Sequence, residues 1–353
     1  MNTQKQTRTE LSELGEFGLI HRLTSGIKIH NSNTLKGVGD DAAVIENIDL
    51  LTLVSTDLLV EKVHFDLTYY PLKHMGYKAS VVNFSDIYAM NGTPRQLLVG
   101  LAVSNRFSVE AIDEIYAGIR LACEKYHVDL AGGDTTSSHS GLFLSLTIIG
   151  SVEKNRVVYR NTANESDLIC VSGDLGSAYA GLLLLEREKT VFKANPDMQP
   201  DFEGFDYVLG RQLKPEARRD IIELLKENEI IPTSMIDVSD GLASDILHLC
   251  NDSVKGCALY EEKIPLDMST IKACDSFKID PLTAAMNGGE DYELLFTIRQ
   301  DDYEKLRKLE EVSIIGHITE ASAGCNLITR SGQSVPITAQ GWDGLKKFNR
   351  YNV

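Results

Sequence analysis

Residues 235–247 read MIDVSDGLASDIL. Met235, Ile236 and Val238 have the apolar character of a buried strand end, and Asp240-Gly241 is turn chemistry. Leu242, Ile246 and Leu249 mark the inner stripe of a following helix. A strand that turns into a helix through an acidic corner predicts an α/β chain. The same stretch sets Asp237, Asp240 and Asp245 among residues that are mostly apolar or small. Charge in such surroundings asks for a positive counterpart. Asp245, one turn into the helix, reads as a polar-face residue.

Outward from this corner, strands are expected at 50–56 (ending in Asp57), 96–104, 142–152, 292–298, 312–318 and 325–329. DLICVSGD (167–174) reads as strand then turn, and VDLAGGD (128–134) as a short strand entering a glycine turn. Helices are expected at 73–90, 108–126, 177–187, 241–250 and 301–309, and from Pro215 at position N1 to about Asn228. In the first of these, Met75, Ala79, Val82 and Ile87 lie on or near one stripe. The stretch 189–212 reads as an irregular loop or insertion. Strands and helices alternate without a regular βαβ repeat, so the expected fold class is mixed α/β in two domains with a boundary near 150–165. The divisions are a polar extension over 1–14, an N-terminal domain over 15–152 and a C-terminal domain over 153–353.

The 353 residues are 43% hydrophobic and 24% charged, which is globular composition. A net charge of −16 without a basic stripe argues against a nucleic-acid partner. No apolar run approaches the roughly 20 residues of a membrane helix, and the first residues lack the apolar core of a signal peptide. The six cysteines are scattered, none in a CxxC pair, so zinc-type spacing is absent and reduced thiols in a cytoplasm are expected.

One pattern recurs. Acidic residues follow small residues at element ends in GVGDDAAV (Asp40, Asp41), VSTD (Asp57), NFSD (Asp86), AGGD (Asp134), VSGD (Asp174), IDVSDG (Asp237, Asp240) and GGEDYE (Glu290, Asp291). Helix capping or Gly-Asp turns account for any one of these alone. They account poorly for Asp86, inside a helix with Asn83 three residues before it. Neighbouring like charges also need something positive between them, and oxygen-rich clusters of this kind suit Mg²⁺. Phosphate chemistry is the natural use. Yet there is no GxxxxGK[ST] loop and no protein-kinase signature set, and Gly37-Val38-Gly39 leads into two carboxylates that would repel a pyrophosphate.

Taken in order, GVGDDAAV, VSTDLLVEKVHF, NFSDIYAMNGTP, LAGGDTT, VSGDLGSA, MIDVSDGLASD and GGEDYELLFT resemble the thiamine-monophosphate kinase family, within the aminoimidazole-ribotide-synthetase-like ATP-binding superfamily. The resemblance runs from about Gly15 to Trp342. It implies two α/β domains and transfer of the γ-phosphoryl group of ATP to thiamine monophosphate, giving thiamine diphosphate, the last step in making that cofactor. It also implies a homodimer paired through the N-terminal sheets, with ATP at the dimer groove. By position it implies Mg²⁺ ligands at Asp41, Ser55, Thr56, Asp57, Asp86, Asp134 and Asp237, and a further ion at Asp240. Nucleotide contacts fall on Tyr116, Gly133, Asp134, Arg160 and Ser239, and substrate contacts on His64, Glu290 and Trp342. The family's usual Gly-aromatic-x-His-Phe ending departs here, with Gly344 and Leu345 in place of His and Phe.

On the residues alone, His64 also reads as a core or surface histidine, Arg160 as a surface charge and Trp342 as core filling. The acceptor phosphate is already a nucleophile, so no acid–base residue is expected, and direct transfer assisted by several Mg²⁺ ions follows. The alternatives are a sister enzyme of the superfamily or a non-catalytic divalent-metal-binding protein. Selenophosphate synthetase would need a reactive Cys in an N-terminal glycine-rich segment, and the first Cys here is Cys123. The hydrogenase-maturation relative needs a C-terminal Cys, and this chain ends in Asn352-Val353.

Overall fold

The long strand β3 (Leu50–Val60) organises the first half of the chain. In this computed structural model the described residues are His21, 31–37 and 39–340; the polar extension and Trp342 lie outside them. Around β3 stand β1 (Thr34–Lys36), β2 (Ala43–Glu46), β4 (Thr93–Val103), β5 (Asp129–Ser137) and β6 (Leu142–Glu153), in the order β1-β2-β3-β6-β4-β5. Period-two alternation sorts their side chains. Leu51, Leu53, Leu97, Val99, Leu101, Leu144, Leu146 and Ile148 are buried on one face. Thr56, Leu58, Leu98 and Ser145 are exposed on the other.

The buried face is covered by α1 (Leu72–Ala89), on which α2 (Val109–Tyr126) lies. Ser108 caps α2, its hydroxyl accepting from the Ala111 N–H. The two helices meet backbone to backbone. A Cβ on Gly118 would lie 1.9 Å from the Lys73 carbonyl oxygen, and one on Gly76 2.0 Å from that of Ile115. Gly118→Ala therefore separates the helices; the expected cost is roughly 1–3 kcal/mol, read as a fall in Tm with far-UV circular dichroism preserved at low temperature.

The expected stripe on α1 is too narrow. Lys78, Ser80, Asn83 and Ser85 are as buried as Met75 and Val82. The second half of the chain covers the polar side: Lys78 Nζ donates to the Gln212 carbonyl and the Tyr77 hydroxyl to Glu216. Two further expectations fail near the first sheet and its neighbours. Residues 128–134 do not enter a glycine turn; Gly132 and Gly133 continue β5, parallel to β4, with a register shift between Leu97 and Leu98. Pro215 is not at a helix start, since the helix that follows it spans Arg219–Glu227.

The second sheet has the order β13-β12-β9-β11-β7-β10-β8. Its strands are β7 (Leu168–Ser172), β8 (Ser234–Asp237), β9 (Gly256–Tyr260), β10 (Leu294–Ile298), β11 (Val312–Thr319), β12 (Cys325–Ile328) and β13 (Ser334–Pro336). The helices are α3 (Ser177–Ala194), α4 (Asp206–Leu213), α5 (Arg219–Glu227), α6 (Leu242–Ser253), α7 (Met268–Phe277), α8 (Pro281–Asn287) and the single turn α9 (Tyr303–Leu306). Much of 189–212 is thus helical, in the end of α3 and most of α4. Its apolar residues are sparse because only Val208 and neighbours such as Leu209 and Phe205 pack inward, against α3 and α7.

Candidate active site

β3 delivers Ser55 and Asp57 to the face covered by α1, and there Asp86 projects from the last turns of that helix. The Ser55 hydroxyl donates to Asp86 Oδ2 at 2.5 Å. Thr56, between them, points the other way: its hydroxyl bonds the Leu146 carbonyl and the Thr147 hydroxyl across the open face. The loop before β2 brings Asp40 and Asp41 to the same place. Gly37, Gly39, Asp40, Asp41, Ser55, Thr56, Asp57, Asp86 and Arg160 line one open cavity.

The corner after β8 closes this cluster from the second half of the chain. Asp237 is buried, and the Ser85 hydroxyl of α1 donates to its Oδ2 at 2.5 Å. Gly241 has φ +106°, and a Cβ there would meet the Met286 carbonyl oxygen at 2.9 Å, so the Asp-Gly turn needs its glycine. Asp245 corrects the polar-face expectation. It is 2% exposed, and its Oδ2 accepts from the Asp240 N–H at 3.3 Å.

These carboxylates raise one another's affinity for protons. Burial, then Asp237 and Asp40, hold Asp41 well above the usual carboxylate range. Burial, then Asp57, Asp237 and Asp41, do the same to Asp86. Burial, then Asp240 and Asp237, raise Asp245. Burial pushes Asp57 up to about 6 and Asp237 up to about 6. Opposing charge is scarce. The Arg160 guanidinium lies 4.0 Å from Asp41 and is turned to Asp252 at 2.9 Å. Asp41 Oδ2 is buried with no hydrogen-bond partner. An anionic cage with an unpartnered inner oxygen fits a hard divalent cation well.

The cluster predicts its own pH response without metal. Asp57 and Asp237 hold protons in the folded state that the unfolded chain, near 3.8, has released. Stability therefore falls as pH rises from about 4 to above 6. Thermal melts at about pH 5 and about pH 8 check this, and saturating Mg²⁺ is expected to reverse the loss at the higher pH.

The remaining sequence-predicted residues fall in separate places. Tyr116, Gly133 and Asp134 line a second cavity with Leu130, Gly132 and Thr135, sharing no residue with the first. A Cβ on Gly133 would meet the Val99 carbonyl oxygen at 1.9 Å, which explains that glycine. Gly133 pairs with Val99, Val99 with Leu146 and Leu146 with Asp57. Asp134 is thus displaced from the Asp57 row by three strand spacings, roughly 14 Å, and it follows the outward register of Gly100 and Ser145. His64 is exposed near the end of β3, its Nδ1 accepting from the Val60 N–H. Ser239 lies beside the GGED loop, its carbonyl accepting from the Glu290 N–H.

The acidic pair in that loop has protein partners. Glu290 meets Lys78 Nζ at 3.0 Å and Gln212 Nε2 at 2.8 Å. Asp291 accepts from the Gly176 and Ala178 N–H groups at the start of α3. Asp174 is likewise held by Ser177, Tyr207 and Arg211. Lys78, Ser85 and Asp245 carried no sequence signal for these roles, because their partners lie more than a hundred residues away or behind a corner.

The family pattern described as "AIR synthase related protein, N-terminal domain" matches residues 39–152. The thiamine-monophosphate kinase of Bacillus subtilis is 33% identical over 339 residues, covering 94% of this chain and all of that protein. That of Aquifex aeolicus is 34% identical over 303 residues, covering 86% and 92%. A solved structure described as "AaThiL complexed with AMPPCP and TMP" superposes with a TM-score of 0.81 at 30% identity, over 96% of this chain and 99% of that one. The hydrogenase maturation protein HypE in complex with ATP, at 18% identity and a TM-score of 0.67, shares the fold.

Proposed function

The chain belongs to the thiamine-monophosphate kinase family, and from that premise we propose that it transfers the γ-phosphoryl group of ATP directly to the phosphate of thiamine monophosphate, with Mg²⁺ held by its aspartate cluster. The observation that carries the metal is Asp41 Oδ2, buried and unpartnered among carboxylates from both halves of the chain. Asp41, Asp57, Asp86 and Asp237 are the residues that would hold the ions, with Ser55 orienting Asp86 and Ser85 orienting Asp237. Bound there, Mg²⁺ supplies the positive charge that lets two anionic phosphates approach and spreads the charge that develops during transfer.

The chain's own groups do the rest. Arg160, beside Asp41, is placed to meet a phosphate or ribose oxygen. Glu290 is held in place by Lys78 and Gln212 and borders the substrate side. No side chain needs to take a proton from the acceptor phosphate. The open face of the first sheet, with Leu58 56% and Leu98 36% exposed, is covered by a second copy of the chain. That pairing brings the Tyr116–Asp134 cavity of one subunit toward the aspartate cluster of its partner. No helix among the described residues is long and apolar enough to cross a membrane.

Incubation with MgATP and thiamine monophosphate tests this reading. Thiamine diphosphate and ADP are expected in equal amounts. ATP breakdown without thiamine diphosphate would overturn it, and a phosphoenzyme trapped with ATP alone would overturn direct transfer.

A further inference from the structure

The cysteines that lie far apart in sequence do not lie apart in space. Cys250 sits near the end of α6, Cys257 in β9 and Cys325 at the start of β12. β9 and β12 run parallel with Cys257 directly opposite Cys325. The three sulfurs all lie within 4.8 Å of one another. Cys250 and Cys257 are buried, whereas Cys325 is half-exposed. The sequence argued against a metal site here because spacing was its only guide; a helix end, a parallel pairing and some 70 residues of intervening chain bring the three sulfurs together.

We propose that Cys250, Cys257 and Cys325 form a three-sulfur site for a thiophilic d¹⁰ metal ion, Zn²⁺ or Cu⁺, separate from the aspartate cluster. An ion about 2.3 Å from each sulfur holds the sulfurs roughly 3.8–4 Å apart, within the 4.8 Å that bounds their spacing here. Soft thiolates select such ions over the hard Mg²⁺ that carboxylates prefer. On binding, each sulfur releases its proton to solvent and donates its electron pair to the ion; no electrons are exchanged. Among the described residues no His, Asp or Glu joins the group. A fourth position, where the ion takes one, therefore opens on the Cys325 side to water or an external thiol. A disulfide fits less well, since it would use two of three mutually close sulfurs and leave the third unused. The site would tie α6 to β9 and β12. The first turn of α6 carries Asp245, so the metal would fix the far end of a helix that completes the acidic cluster.

The test uses the full chain, reduced and stripped with a chelator, and Co²⁺ as the probe. A sulfur-to-cobalt charge-transfer band that saturates at one ion per chain is expected. Carboxylates give no such band, so the aspartate cluster does not interfere. Zn²⁺ and Cu⁺ are then added separately; the ion that displaces Co²⁺ at the lower concentration identifies the occupant, and it is expected to raise Tm. Cys325→Ser, at the half-exposed position, is expected to weaken binding at least tenfold and to abolish the Tm shift while circular dichroism stays native. Absence of the band in the wild-type chain would overturn the site. So would undiminished binding by Cys325→Ser, or a mass two hydrogens lower with a Cys257–Cys325 disulfide in the purified protein.

Discussion

With Asp57 in the proposed metal site, Asp57→Asn is expected to lower thiamine diphosphate formation by roughly a thousandfold or more, because even groups that merely support metal ligands cost about 10–100-fold when removed. The fold survives. Asp57 is raised to about 6 by burial, so at neutral pH the wild-type chain carries there a charge that its surroundings disfavour. The neutral amide removes that charge from beside Asp86 and Asp237, both of which it repels. Without metal the variant is therefore as stable as wild type or more so at about pH 8, and Mg²⁺ adds less to its Tm than to that of wild type. Rate and melting curves together separate this from a simple structural defect, which would lower both. Near-normal activity at saturating Mg²⁺ would remove Asp57 from the metal site.

Asp134→Asn is also expected to abolish turnover, for a different geometric reason. Asp134 lies three strands from the Asp57 row, on the open face, in a cavity that shares no residue with the aspartate cluster. On the proposed pairing through that open face, the nucleotide site is shared between Asp57 of one chain and Asp134 of its partner. Co-expressing Asp57→Asn with Asp134→Asn then restores activity. Random pairing makes half of the dimers mixed, and each mixed dimer has one of its two composite sites intact, so about one quarter of wild-type activity returns. A mixture as dead as either parent would place the whole site within a single chain.

What could be read from the sequence follows the range of the interactions. The strands expected at 50–56, 96–104 and 142–152 overlap β3, β4 and β6, each of which packs one face on the helices and leaves the other open. The family resemblance put Asp41, Asp57, Asp86, Asp134, Asp237 and Asp240 among the metal ligands; the fold gathers Asp41, Asp57, Asp86 and Asp237 and leaves Asp134 in a separate cavity. Asp245 was misread because it turns back to the acidic corner, accepting from the Asp240 N–H, and is buried there rather than on a solvent face. The apolar stripe expected on α1 was too narrow because the cover of its polar side, residues 212–217, lies about 130 residues along the chain. Adjacent Glu290 and Asp291 suggested a metal between them, whereas Lys78 and Arg211 supply the positive charge. The cysteines show the same limit: spacing along the chain says little when a parallel strand pair and a helix end set the distances.

The most direct test is diffraction from crystals grown with Mn²⁺ in place of Mg²⁺, a non-hydrolysable ATP analogue and thiamine monophosphate, recorded where manganese scatters anomalously. Anomalous peaks are expected among Asp41, Asp57, Asp86 and Asp237, bridging to phosphate oxygens of the nucleotide. Bound nucleotide with no anomalous peak at those four carboxylates would contradict the account.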